Sequence, residues 1–241
     1  MKTIDCLGYS VYSENILPSS MSKEKIVVNT INPHCYCEAK KDSIYKKALT
    51  NSDILLPDGI GIVWAIKTLR HQKIKRFSGS DLHLSLLKQL NKAGGKVFYM
   101  GSSDSTLQMI YEKIKKEYPN ISVGSYPPPY KPVFTVEENI QIIDSINEFN
   151  PDILFVGMTA PKQEKWVYEH KDHINANVIA SVGAVFDFYA GTIKRPGTFW
   201  INLGLEWLPR LLREPKRLWH RNLISTPKFI WDVFVAKMNN R

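Results

Sequence analysis

The stretch 151-PDILFVGMTAPKQEKWV-167 decides the fold. Its first half, "DILFVG" (152–157), is an apolar run of strand length that follows the turn signal "NPD" (150–152). Its second half opens a helix. Pro161 suits a helix start because its missing N–H is no loss there, and Lys162, Gln163 and Glu164 fill the first turn. A strand that runs through a loop into a helix is the repeating unit of an α/β protein.

The same alternation recurs across the first 190 residues or so. Strand-like runs at "KIVVNT" (25–30), "DILLP" (53–57), "KVFYMG" (96–101), "ISVGSY" (121–126) and "NVIASVG" (177–183) accompany 152–157. Helical patterns fall between them at roughly 34–49, 60–69, 81–93, 104–117, 136–148 and 162–172. "AGG" and "PPP" (127–129) punctuate the boundaries, and no internal repeat or low-complexity tract is visible. The pattern predicts an α/β class, a mostly parallel sheet with flanking helices of Rossmann-like form.

At 241 residues, with 44% apolar and 23% charged side chains, the chain can bury a sizeable core. Its net charge of +9 points to an anionic partner. That charge is unevenly placed: residues 194–241 contribute +7 of it, together with four of the six tryptophans, Trp200, Trp207, Trp219 and Trp231. Two regions are therefore expected, a core at 1–194 and a basic, Trp-rich appendage at 195–241. Arg210, Arg213, Arg217 and Arg221 recur at helical spacing and are expected to form a basic stripe on one helix. Such a mixture suits a diphosphate, a nucleic acid or an anionic bilayer. Cys6, Cys35 and Cys37 are odd in number and lack a C-x-x-C, which predicts reduced thiols in a cytoplasmic protein and no zinc site. The N-terminus is too polar for a signal peptide, and no run approaches the about 18 apolar residues of a spanning helix.

In a parallel sheet, ligands collect beyond the carboxyl ends of the strands. The stretches there are "NTINPH", "DGIG", "GSSDST", "GMTAPKQEKW" and "GAVFDF". "GSSDSTLQ" (101–108) reads either as a phosphate cradle at a helix start or as an ordinary capped turn. Lys162 and Gln163 read either as donors to a base, ribose or diphosphate or as solvated first-turn residues. Asp58, in "LLPDGIGIVWA" (55–65), has three readings: a helix N-cap, half of a dinucleotide fingerprint, or a catalytic base. The fingerprint is incomplete, since Trp64 occupies the third glycine's place. No Asp-x-Asp pair occurs, so a bound diphosphate would be neutralised by Arg, Lys and helix termini, without a metal.

Taken in order and spacing, "TINPH", "LLPDGIGIVWA", "FSGSDL", "FYMGSSDSTL", "PDILFVGMTAPKQEKWV", "VGAVFDFYAGTIKRPG" and "LEWLPRLLREPKRLWHR" resemble the WecG/TagA/CpsF glycosyltransferase family. The likeness runs from about residue 25 to 221, and "APKQEKW" and "GLEWLPRLLREPKRLWHR" are its most specific parts. It implies transfer of a sugar, often N-acetylmannosamine or its uronic acid, from a UDP donor to an undecaprenyl-diphosphate-linked sugar in surface polysaccharide or teichoic acid synthesis. It further implies inversion at the anomeric centre, no metal and no other cofactor. Asp58 matches the family's proposed base, and Thr30 and Asn32 match the polar pair lining the same pocket. Gly101, Ser102, Gly157, Gln163 and Glu164 would hold the UDP-sugar, with Asp187 and Arg195 nearby. Asp81, in "SGSD", fits a motif position or a helix cap.

Arg210, Arg213, Arg217 or Arg221 would reach a diphosphate or lipid headgroups from an appendage docked on an anionic membrane surface. The implied location is cytoplasmic, peripheral on the inner face of the cell membrane, with no nucleic-acid partner and a homo-oligomer left open. The chain departs from the family pattern at "RPG", where "RAP" is expected, and in "NLISTPKFIWDVFVAKMNNR", which extends past the shared region and reads as a further amphipathic membrane contact. Two rivals stand beside this reading: a nucleotide-cofactor oxidoreductase built on "DGIG", and a nucleic-acid-binding module built on the basic tail.

Overall fold

All six strand-like runs lie side by side in one sheet, and every pairing in it is parallel. The computed structural model describes residues 2–14, 25–194, 196–197, 199–200 and 205–239, with the Arg217 side chain undescribed. An antiparallel hairpin, β1 (Thr3–Cys6) and β2 (Tyr9–Tyr12), comes first. The sheet strands are β3 (Ile26–Ile31), β4 (Ile54–Pro57), β5 (Lys96–Gly101), β6 (Ser122–Tyr126), β7 (Ile153–Gly157) and β8 (Val178–Ser181), in spatial order β4-β3-β8-β7-β5-β6.

The helices are α1 (Pro33–Ala39), α2 (Ser43–Thr50), α3 (Ile60–Arg70), α4 (Gly79–Ala93), α5 (Asp104–Glu117), α6 (Val136–Phe149), α7 (Lys162–His170) and α8 (Val185–Ala190). After them come α9 (Trp207–Arg213), α10 (Pro215–Trp219), a π-helical turn (His220–Ser225) and α11 (Thr226–Asn239).

Strand side chains alternate between two buried faces, which is why these runs read as unbroken apolar stretches. Val97, Tyr99, Ile153, Phe155, Val178 and Ala180 pack beneath α4, α5 and α8. Phe98, Met100, Leu154, Val156 and Ile179 pack on the other face with Ile142 and Ile146 of α6 and Trp166 and Val167 of α7. A third cluster joins β1, β2, α1, α2 and α3 to α11 through Phe229 and Val233, both fully buried. Beyond residue 205 the chain is therefore packed on the core through α11.

Three local departures from the sequence reading have physical causes. The helix expected at 34–49 is two helices, because the Asp42 side chain accepts the Tyr45 N–H and caps a new start. The N-terminal hairpin escaped notice because its turn, Leu7-Gly8, lacks the usual Asn or Asp although both residues have positive φ. The expected single basic stripe is broken at Glu214–Pro215, where Glu214 leaves helical geometry (φ −128°, ψ 58°) ahead of the proline. Arg210 and Arg213 thus lie on α9, and Arg221 lies in the π-helical turn. No helix among the described residues is long and apolar enough to cross a membrane.

Candidate active site

The Asp58 N–H donates to the Ile31 carbonyl at 2.9 Å, which extends the β3–β4 ladder one residue past the strand end. Gly59 follows with φ +82° and ψ 158°, a conformation that only glycine adopts readily, and α3 begins after it with Gly59 as its cap and no side-chain capping bond. Asp58 is therefore not the N-cap of α3, which corrects that reading. Its carboxylate makes no hydrogen bond among the described residues. It is enclosed on most sides yet keeps part of its surface accessible. Burial pushes its carboxyl above the ordinary range. Arg221, Arg76 and Arg210 pull it back, and Glu206 pushes it up again.

The second glycine of "DGIG" has a packing reason. A Cβ on Gly61 would stand 2.5 Å from Pro33 Cγ, so the residue lets α1 and α3 approach. With Gly59 set by backbone conformation and Gly61 by packing, the dinucleotide reading loses its carrier. Thr30 and Asn32 flank the end of β3, next to Asp58 just past the end of β4. Asn32 Oδ1 accepts the His34 and Cys35 amides at 3.0 and 3.1 Å and caps α1. Its Nδ2 keeps donors without a partner among the described residues.

Arginines converge on this corner from distant parts of the chain. Arg76 pairs with Glu206 at 2.7 Å, both side chains mostly buried, and so ties the approach to α4 to the C-terminal segment. The Arg210 guanidinium sits 5.1 Å from the Phe188 ring centre, and Arg213 donates to the Lys194 carbonyl at 3.0 Å. Arg221 has no hydrogen-bond partner for its guanidinium among the described residues. Its charge reaches Asp58, His34, Cys35 and Tyr45. Arg195 and the Arg217 side chain lie outside the described residues. Sequence reasoning missed Arg76. Its one signal is a basic residue two positions before the Ser78 cap of α4.

A second group of residues gathers around β5 and β7. Helices α5 and α7 leave these neighbouring strands toward opposite faces, which makes their carboxyl ends the switch point where α/β folds bind ligands. Gly101 (φ +127°) meets Gly157 there so closely that a Cβ on Gly101 would come within 2.3 Å of the Gly157 carbonyl oxygen. A Cβ on Gly157 would in turn strike the Phe186 ring at 2.5 Å. Ser102 is left-handed (φ +63°) and partly exposed, while Ser103 is the residue that caps α5.

Gln163 is buried; its Oε1 accepts the amides of Met158 and Gly183, both at 3.1 Å, and so stitches the β7 loop to the β8 loop. Gln163 Nε2 donates to Glu164 Oε1 at 2.8 Å, and Glu164 Oε2 is buried without a partner. Burial pushes the Glu164 carboxyl up to about 7.

Other candidate side chains are engaged elsewhere. Lys162 lies over the Phe134 ring at 3.6 Å and donates to the Lys131 carbonyl, which turns it toward the connection before α6. The Asp187 carbonyl accepts the Gly191 and Ile193 amides, closing α8, and its carboxylate faces Thr192. Asp81 completes a capping box with Ser78. Cys6, Cys35 and Cys37 are free and buried.

Two groups thus share one edge of the sheet. Asp58, Thr30 and Asn32 stand at β3 and β4, and Gly101, Ser102 and Gly157 at β5 and β7. From β3 to β7 is two strand spacings, about 10 Å, a span that a sugar joined to a diphosphate can bridge. Arg76, Arg210 and Arg221 supply positive charge at the β4 end of that span.

Comparison with known proteins gives the family. The profile described as "Glycosyl transferase WecG/TagA/CpsF family" matches residues 2–241. A protein of Bacillus subtilis (strain 168) named N-acetylglucosaminyldiphosphoundecaprenol N-acetyl-beta-D-mannosaminyltransferase is 32% identical over 215 residues, which cover 89% of this chain and 81% of that one. Relatives of the same name are 32% identical in Bacillus spizizenii (85% and 77% covered) and 28% identical in Staphylococcus aureus strain MW2 (91% and 84% covered).

Proposed function

The chain belongs to the WecG/TagA/CpsF glycosyltransferase family, and from that premise we propose which sugars it handles and how. The donor is a UDP-linked N-acetylmannosamine and the acceptor an undecaprenyl-diphosphate-linked N-acetylglucosamine, in teichoic acid or surface polysaccharide assembly. The names of its relatives support both assignments. Neither rival expectation, oxidoreductase or nucleic-acid module, fits a glycosyltransferase.

The observation that carries the mechanism is the free Asp58 carboxylate at the strand edge, held within the field of three arginines. Asp58 removes the proton of the acceptor hydroxyl as that oxygen bonds to the anomeric carbon. The bond to UDP breaks in the same step, and UDP leaves with its electron pair. One displacement on an α-linked donor gives a β product, in keeping with the β-linkage in the relatives' names. A carboxylate made more basic by burial suits proton abstraction near neutral pH. Arg221, Arg210 and Arg76 supply positive charge for the acceptor's diphosphate at the β4 end, and no metal ion takes part in the step.

Thr30 and the Asn32 Nδ2 donors line the acceptor side. Gly101, Ser102 and Gly157 receive the nucleotide diphosphate. Gln163 and Glu164 act from behind as positioning residues, because Gln163 holds the two loops in register.

Residues 195–241 act as a membrane-docking appendage to the 1–194 core. On α11, Ile230, Trp231, Phe234 and Met238 are exposed opposite the buried Phe229 and Val233, with Lys228 and Lys237 on the same helix. A helix of that form lies in a bilayer interface, and basic residues favour an anionic leaflet. The enzyme accordingly works on the inner face of the cell membrane. The test is a panel of UDP-sugars offered with undecaprenyl-diphosphate-linked acceptors, read by product mass and anomeric configuration. A β-linked N-acetylmannosaminyl product is expected. Exclusive use of another sugar, or an α product, refutes the assignment.

A further inference from the structure

We infer that His34, Glu38 and His220 form a binding site for a divalent ion of the zinc class, which clamps the C-terminal segment onto α1. His34 and Glu38 are four residues apart on α1 and so share one face, and His220 opens the π-helical turn that packs against that face. The three offer donor atoms that all lie within 4.8 Å of one another, and each residue is partly buried. Two imidazoles and a carboxylate are a donor set suited to zinc, which needs its ligand atoms about 3.3 Å apart at tetrahedral bond lengths. Binding an ion there requires side-chain rotations that bring the donor atoms closer together.

The surroundings hold the three in place. Ser225 Oγ lies 3.0 Å from His34 Nδ1 and fixes the ring, as an outer partner does for a metal-bound histidine. The Cys37 thiol donates to the Ser225 carbonyl at 3.3 Å, and the His34 and His220 rings meet edge to face at 6.1 Å. Lys41 engages Glu38 Oε1 at 2.8 Å, which leaves Oε2 for an ion. Its effect is positional: Arg221 directly follows His220, and fixing His220 to α1 fixes where the neighbouring guanidinium points. π-Helical turns often occur at functional sites, and this one carries both His220 and Arg221.

The test uses the full chain after chelator treatment, titrated with Co²⁺ as a spectroscopic probe and then with Zn²⁺. The expected result is about one Co²⁺ per chain, with visible d–d absorption that Zn²⁺ abolishes by displacement. Glu38→Gln and His220→Ala should each weaken binding by at least the about 10–100-fold typical of losing an outer partner, and the double variant should show no site. Zn²⁺ should also slow proteolysis of the C-terminal segment in the wild type and leave the double variant unaffected. Equal Co²⁺ binding by wild type and double variant overturns the inference. So does binding that leaves the proteolysis rate unchanged. Both wild-type readouts stand even if a variant fails to fold.

Discussion

Replacing Glu164 with glutamine should make the protein more stable above neutral pH and stabilise it much less in mild acid. Glu164 is buried, one of its oxygens lacks a partner, and its carboxyl titrates near 7 where 4.5 is ordinary. In the unfolded chain the proton leaves near 4.5. As pH rises through the window from 4.5 to about 7, the ionised unfolded state gains and the folded state loses stability. Because the folded-state value is raised, the stabilising protonated form is fully present below the lower value and lost above the higher one. The penalty is about 1 kcal/mol at about pH 5 and about 3 kcal/mol at about pH 8.

Glutamine mimics the protonated acid and still accepts from Gln163 Nε2, so Glu164→Gln removes the penalty without emptying the site. Urea unfolding followed by tryptophan fluorescence, at about pH 5 and about pH 8, reads the difference, which should grow by about 2 kcal/mol between the two. A gain equal at both pH values, or none at about pH 8, refutes the reasoning that Glu164 is held in the fold against its own desolvation.

Three further outcomes are expected. Gly101→Ala forces a side chain into a left-handed position 2.3 Å from the Gly157 carbonyl; a loss of about 1–3 kcal/mol with weaker UDP binding should appear in thermal unfolding with and without UDP. Phe229→Ala empties a fully buried site between α11 and the α1 and α3 helices, at a cost of about 3–5 kcal/mol, and limited proteolysis should release α11 first. Trp231→Ser combined with Phe234→Ser alters only exposed rings, so folding should shift by no more than about 0.5 kcal/mol. Sedimentation with anionic vesicles should nevertheless show about tenfold weaker binding or less.

The six sheet strands were legible because both of their faces are buried, so runs such as "DILFVG" carry no polar interruption and sit between turn signals. The starts of α5 and α6 fall where the sequence reading puts them, at 104 and 136, and α4 begins two residues earlier than expected because Ser78, not Asp81, is its cap. What sequence could not supply was contact between distant segments. Arg76 matters through its ion pair with Glu206, and Arg221 through its charge near Asp58, relations made only when the C-terminal segment folds back on the sheet edge.

Gln163 looked like a ligand because it follows a strand, yet its carbonyl oxygen is committed to two backbone amides that the sequence does not bring near. Asp58 looked like a cap because it precedes a helix. Gly59 changes that, since its positive φ hands the cap position to glycine and leaves the carboxylate free.

That free carboxylate is tested most directly by Asp58→Asn, which keeps shape and removes basicity. Single-turnover transfer and UDP affinity should be measured on the same preparation. Transfer is expected to fall by about 10²–10⁴-fold while UDP binds within a few fold of wild type. Transfer at a near wild-type rate contradicts Asp58 as the base.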